Sequence, residues 1–325
     1  MKGIRLMDLI DVTLRESVYY ESGIDYGKAL RYLRKEAELI SNQDIQYVEI
    51  GYLNNHEEGN LNYNADYINE AQAICEGKFK LVSIMHPHLA NKKLWSKKTI
   101  SQLALVRIVT GGEVSETIRD YIAYFHELGV EVSVNIIYAA SLDMDQIRNS
   151  LEKSQEYGAD FFYCADSSGS FTPRMIEAIG SDLKRYGTSV KLGFHLHDHY
   201  QMSTANALMA RDCGLDITDV SITGAGKGGG NLRAELIIPI LRCMYGGTIR
   251  AEELCALYDL ILFFNNLIDR NGNHYERVFL DSLTGLYKTE LKRLEQIVSL
   301  AGEDAHRYIR LITGEENFGQ IDNLF

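Results

Sequence analysis

The sharpest chemical signal in the chain is a pair of histidines one residue apart, His195 and His197. On a β-strand, residues i and i+2 face the same way. A strand ending in His195-Leu196-His197 therefore presents two imidazoles on one face, which are two legs of a metal site. Glu16, next to Arg15 after the first apolar run, is the candidate carboxylate. Two histidines and one carboxylate leave positions open for substrate and water, as a catalytic divalent cation requires. The bland readings are satisfied histidines and an exposed Arg/Glu pair. The two pairs together weigh against them. His199 continues the alternation where the chain should already be leaving the strand.

Five glycines fall between Gly224 and Gly230, in the run Gly224-Ala225-Gly226-Lys227-Gly228-Gly229-Gly230-Asn231. Such a loop lets backbone approach a ligand closely. It does not satisfy the phosphate-loop pattern. Asn231 at its end is placed to point a side-chain oxygen at a metal. Ser167, in Asp166-Ser167-Ser168, has no adjacent base and makes a poor nucleophile. It reads as a hydrogen-bond donor to a substrate carboxylate or carbonyl, or as part of a helix-entry cap.

These residues sit at the ends of short apolar runs that alternate with helix-period segments. The runs are Leu9–Thr13, Tyr47–Gly51, Lys80–Met85, Leu103–Val109, Glu131–Ile137, Phe161–Ala165, Lys191–Leu196 and Asp219–Thr223. Eight β-then-α units in about 245 residues predict an α/β fold, a TIM (β/α)8 barrel over residues 1–248. A helical extension over 249–325 follows. A doubly wound sheet is the alternative, but no dinucleotide-binding glycine pattern follows the first strand. Barrel active sites lie at the C-terminal ends of the strands. That rule gathers Arg15, Glu16, Glu49, His86, Arg107, Asn135, Tyr138, Ser167, His195 and His197 into one place, with Glu49 and Arg107 as candidate substrate-binding groups.

The net charge of -12 disfavours nucleic acid and anionic membranes as partners. No apolar stretch reads as a signal peptide or a membrane span. The five cysteines are an odd number with no C-x-x-C, which predicts reduced core thiols and a cytoplasmic protein.

Several separated motifs together resemble one family. Asp11-Val12-Thr13-Leu14-Arg15-Glu16 resembles the first-strand signature of the DRE-TIM metallolyases. That superfamily includes 4-hydroxy-2-oxovalerate aldolases and 3-hydroxy-3-methylglutaryl-CoA lyases. Gly193-Phe194-His195-Leu196-His197 with Ala205-Asn206 resembles its seventh strand. Val48-Glu49-Ile50-Gly51, Ala165-Asp166-Ser167-Ser168-Gly169 and the glycine loop ending at Asn231 resemble its second, sixth and eighth. The resemblance implies that Glu16, His195, His197 and Asn231 hold Mn²⁺ or Mg²⁺. It implies that Arg15 stabilises an enolate, Asp11 orients the Arg/Glu turn, and Ser167 contacts the substrate carboxylate.

There are departures from the pattern. Tyr19 stands where the aldolases carry a histidine, and Asp198-His199 follows the histidine pair. Gly285-Leu286-Tyr287 resembles a C-terminal aldolase motif. Tyr19, Tyr287 and His199 are therefore the candidates for proton transfer. The expected activity is cleavage or formation of a C–C bond next to a 2-oxo acid, through a pyruvate enolate, with an aldehyde partner. The C-terminal helices would dock an aldehyde dehydrogenase subunit or a second copy of the chain. A Claisen-type acyl-CoA synthase and a non-catalytic barrel are the alternatives. A biotin-dependent carboxyltransferase is excluded because Tyr163 to Gly169 contains no lysine.

Overall fold

The computed structural model describes residues 7–316, apart from 20–22, 42, 56–60, 187–188, 246, 271–273 and 290. They group into two compact units, residues 7–234 and 235–316.

The first unit is a closed barrel of eight parallel strands in sequential order. They are β1 (Asp8–Asp11), β2 (Tyr47–Tyr52), β3 (Lys80–Met85), β4 (Leu105–Thr110), β5 (Glu131–Ile136), β6 (Phe161–Asp166), β7 (Lys191–Leu196) and β8 (Ile217–Val220). Most expected strands differ by only a residue or two at their ends. The third helical position is filled by two short turns, Lys92–Leu94 and Lys97–Ile100. Helix Pro173–Arg185 opens as expected, with Thr172 capping and Pro173 in the first turn.

Alternation along the strands sorts the barrel interior into layers. Ile10, Tyr47, Val82, Leu105, Phe161 and Ile217 belong to one buried apolar cluster. Two residues further along their strands, the same face carries Glu49, Arg107, Tyr163 and Asp219, all at most 1% exposed. Gly193 is the register partner of Tyr163. A Cβ there would lie 2.5 Å from the phenol ring. Glycine at 193 is what admits the Tyr163 ring into the layer, where it lies 4.5 Å beneath the Arg107 guanidinium.

Two strand ends correct the sequence expectation. β1 stops at Asp11, and Thr13–Glu16 is a helical turn rather than a strand end. Asp11 causes the stop: its side chain accepts from the Thr13 backbone N–H at 3.0 Å and from the Thr13 hydroxyl, an Asx-type turn. β8 runs over Ile217–Val220, starting two residues and ending three residues earlier than expected, and Ile222–Gly224 forms a 3₁₀ turn. The turn is buried and Ile222 keeps the strand-like alternation going past Val220, so hydrophobicity alone could not mark the strand's end.

The second unit is helical, as the sequence pattern indicated. It holds helices Ala251–Leu267, His274–Leu286, Leu291–Ala301 and Ala305–Thr313. Most of helix Ala234–Met244 is grouped with them.

Behind β1, helix Tyr26–Leu39 places Glu36 beside Asp11, and both are wholly buried. The Tyr32 hydroxyl donates to Asp11 at 3.0 Å. Burial raises both carboxyls, and the Asp11 charge pushes Glu36 well above its ordinary value of 4.5. Burial and the Asp11 charge therefore both favour the protonated form of Glu36. A carboxyl raised in the folded state stabilises the fold below its unfolded pKa, and that stability is lost as pH rises through the folded value. Urea melts of the wild type should show falling stability as pH climbs above 4.5. Glu36→Gln should flatten that slope, and parallel slopes in the two proteins would contradict the assignment.

Candidate active site

A cavity of about 220 Å³ opens at the C-terminal ends of the strands. Its walls include Arg15, Glu16, Arg107, Ser167, His195 and His197, six of the residues picked from sequence. His86, Asn135 and Tyr138, also gathered by the strand-end rule, line it too, with Lys227.

Beneath the cavity runs a ring of buried charges. Arg15 pairs with Glu16 Oε1 and donates through Nε to Glu49 Oε2 at 2.6 Å. The other Glu49 oxygen accepts from Arg107 Nη1 at 3.1 Å. Arg107 Nη2 donates to Asp219 Oδ2 at 2.6 Å, and the same oxygen stands 2.7 Å from His195 Nδ1. His195 Nε2 lies 3.8 Å from Glu16 Oε1, which closes the ring. The Asn135 amide, turned so that its oxygen faces Arg107, accepts from Nε at 3.0 Å.

Charge balance follows from this geometry. Burial works against both guanidiniums, yet Glu49 holds Arg15 above its ordinary pKa, and Asp219 and Glu49 do the same for Arg107. Burial also works against the Asp219 carboxylate, but Arg107 and His195 outweigh it and hold it below the usual range. Burial lowers His195 despite Asp219, and it lowers His197 to about 3, with His195 and Arg15 adding to the effect. Both imidazoles are neutral near pH 7. Three carboxylates against two guanidiniums leave one net negative charge.

The donor set fits a divalent cation. Neutral imidazole is the ligating form. The Nδ1 atoms of His195 and His197 face Asp219 and the Gly230 carbonyl, the latter at 3.3 Å, so Nε2 is the nitrogen left for a metal. Glu16 Oε2 and Asn231 Oδ1 are buried oxygens without a hydrogen-bond partner. The Asn231 amide is fixed by donating to the Ala225 carbonyl at 2.7 Å. Both residues converge on Gly226, where a Cβ would lie 3.1 Å from Glu16 Oε2 and 2.3 Å from Asn231 Nδ2. Glycine there keeps the space between them open. Among the described residues, no three His, Cys, Asp or Glu side chains already stand grouped as a metal cluster. Arg15 competes for Glu16 Oε1, and a cation must share that carboxylate with it.

The remaining candidates take distinct places. Ser167 Oγ accepts from the Tyr138 backbone N–H at 3.0 Å, which leaves its O–H to donate into the cavity. Glu49 is wholly buried with both oxygens on arginines, so it holds Arg15 and Arg107 in place. Asp11 shapes the turn that carries Arg15 and Glu16. His199 is exposed and wedged against Gly169 and Gly228, which accounts for part of the glycine run. Tyr19 ends a 3₁₀ turn, and its side chain lies outside the described residues. Tyr287 belongs to the helical unit, where its hydroxyl donates to the Ile249 carbonyl at 3.4 Å and burial raises it to about 12. His86 on the cavity wall was given no role from sequence. The strand-end rule placed it beside Arg15, but its neighbours Pro87 and His88 give no periodic signal that would assign it a role.

Comparison with known proteins agrees with this geometry. The HMGL-like family model matches residues 99–261. A 4-hydroxy-2-oxovalerate aldolase from Geobacillus genomosp. 3 is 22% identical, over 98% of this chain and 95% of its own. An oxaloacetate decarboxylase from Mycobacterium tuberculosis is 27% identical over 48% of this chain and 46% of its own. The HMG-CoA lyase of Bacillus subtilis shares the fold, with a TM-score of 0.64 at 13% identity over 86% of this chain and 99% of its own.

The charge ring can be probed directly. Asp219→Asn removes the shared anion between Arg107 and His195 and leaves a buried guanidinium short of a partner. Urea denaturation should show a loss of about 3–5 kcal/mol. A change under about 1 kcal/mol, within the range of an exposed pair, would show that the ring is not what holds these groups.

Proposed function

Because this chain belongs to the HMGL-like family, we propose that it is a divalent-metal-dependent carbon–carbon lyase of the aldolase class. In this reading it acts on a 4-hydroxy-2-oxo acid, giving pyruvate and an aldehyde, or the reverse. The observation that carries the reading is the convergence of Arg15 with Glu16, His195 and His197 on one small cavity.

Glu16, His195, His197 and Asn231 would hold Mn²⁺ or Mg²⁺. When bound, the cation supplies Lewis-acid polarisation of the 2-oxo group and charge for the substrate carboxylate. Held by these residues, it would also reverse the sign of a ring that is otherwise net negative and so admit an anionic substrate. Arg15 faces the cavity with its Nε locked on Glu49. Its guanidinium is therefore preorganised to stabilise the negative charge that develops on the 2-oxo oxygen as the C3–C4 bond breaks. Lys227, exposed on the glycine loop, and the Ser167 hydroxyl supply donors for the substrate carboxylate. The buried walls around Ile84 and Ala165 limit water around the enolate.

Three measurements test this reading. Aldol cleavage should be lost on chelation and restored by Mn²⁺. Calorimetric Mn²⁺ binding should disappear in a His195→Ala/His197→Ala double variant. Arg15→Lys keeps a charge but loses the planar fork, so kcat should fall about 10²–10³-fold with Mn²⁺ binding retained. Full activity in the presence of chelator would refute the metal role.

A further inference from the structure

A second cavity, of about 460 Å³, shares His86, Val109 and Ile137 with the first. It is about twice the size of the inner one. Its other walls include His88, Thr110, Glu113, Ser115 and Thr117, set against Ile118. Arg15, Glu16 and the two ligand histidines line only the inner cavity. The inner site therefore gathers the charges that suit a 2-oxo acid, while the outer one sets hydroxyls, an imidazole and a carboxylate around an apolar floor of Val109, Ile118 and Ile137. That lining suits an uncharged chain bearing several hydroxyls better than a hydrocarbon.

His86 sits at the seam. It follows β3 directly, and its backbone N–H is tied to Asn54 Oδ1 at 3.1 Å. Its ring lies nearly parallel to Tyr52, with centroids 6.2 Å apart, and 5.8 Å from His88. The imidazole is thus held on one side by an aromatic face and opens to both cavities. Burial, His88 and Arg15 all lower its pKa, so it is a neutral base at physiological pH.

Resting on the aldolase reading above, we propose that the outer cavity binds the aldehyde half of the substrate, a polyhydroxylated aldehyde, and that His86 at the seam moves the C4 hydroxyl proton. In cleavage, an imidazole nitrogen of His86 takes the O4 proton. The O–H electron pair forms the aldehyde C=O, and the C3–C4 bond breaks with its pair passing to the enolate. The enolate carbon takes a proton from water, and the imidazolium returns its own to solvent through the outer cavity. In the synthetic direction the same imidazolium protonates the new alkoxide.

The test uses the Mn²⁺-loaded full chain with His86→Ala and His86→Gln. Cleavage of a 4-hydroxy-2-oxo acid with a polyhydroxylated tail should fall about 10²–10⁴-fold. Deuterium exchange at pyruvate C3, which breaks no C–C bond and moves no hydroxyl proton, should stay within threefold, about 0.7 kcal/mol. Parallel loss of both activities, or unchanged cleavage, would overturn the role of His86. Absence of exchange in the wild type would instead count against the aldolase reading itself. For the ligand class, condensation of pyruvate with glyceraldehyde or erythrose should exceed that with unsubstituted aldehydes of equal length at least tenfold in kcat/KM. Thr117→Trp, which narrows the outer cavity, should raise KM for the hydroxylated acceptors. Equal or better use of the unsubstituted series, or an unchanged KM, would overturn the outer-cavity assignment.

Discussion

The closed ring of Glu16, Arg15, Glu49, Arg107, Asp219 and His195 is the constraint on which the rest of this barrel's chemistry depends. Buried charges are costly unless every one is paired with good geometry. From Glu16 round to His195 each neighbouring pair is joined by opposite charge or a hydrogen bond, and His195 and Glu16 stand 3.8 Å apart. The barrel supplies the register. Parallel strands put Glu49, Arg107, Asp219 and His195 on inward faces, and the turn after Asp11 brings Arg15 and Glu16 over them. A loss anywhere in the ring misplaces groups that come from strands far apart in sequence.

The same ring explains how an acidic protein can bind an acidic substrate. Its own residues leave one negative charge at the cavity floor, and two neutral histidines and two orphaned oxygens face the space above. In the proposed reading, a divalent cation would satisfy those oxygens and change the sign. Arg15 is locked by Glu49 and faces the cavity, where the proposed reaction would place the 2-oxo oxygen. Preorganisation of this kind costs nothing at the moment of reaction, because the folded barrel has already ordered the guanidinium.

Much of this was legible in the residues. His195 and His197 could be read because a period of two on a strand is a strong rule. The eight units could be read because apolar runs and helix-period segments alternate without a break in composition. Three things were not legible. The turn at Thr13–Glu16 depends on an Asp11 side chain bonding its own backbone, which hydrophobic pattern does not show. Glu49 and Arg107 were picked as substrate contacts, whereas the structure gives Glu49 to two arginines. That partnership spans 58 residues and exists only once the barrel closes. The strand-end rule put His86 at the site, but it stands in no recognisable motif, and its stacking on Tyr52 and its place between two cavities are products of tertiary geometry.

The glycine run shows the same division between local and tertiary causes. From sequence it was a loop suited to close backbone approach. The structure assigns separate duties within it: Gly226 keeps the space between Glu16 and Asn231 clear, and Gly228 receives His199. The central claim is that this architecture makes a pyruvate enolate with the help of a divalent cation and Arg15. Deuterium exchange at pyruvate C3, followed by NMR with the wild-type protein in the presence and absence of Mn²⁺, tests it most directly. The account predicts Mn²⁺-dependent exchange that Arg15→Leu abolishes. Exchange that ignores both the metal and Arg15, or no exchange under any condition, would contradict it.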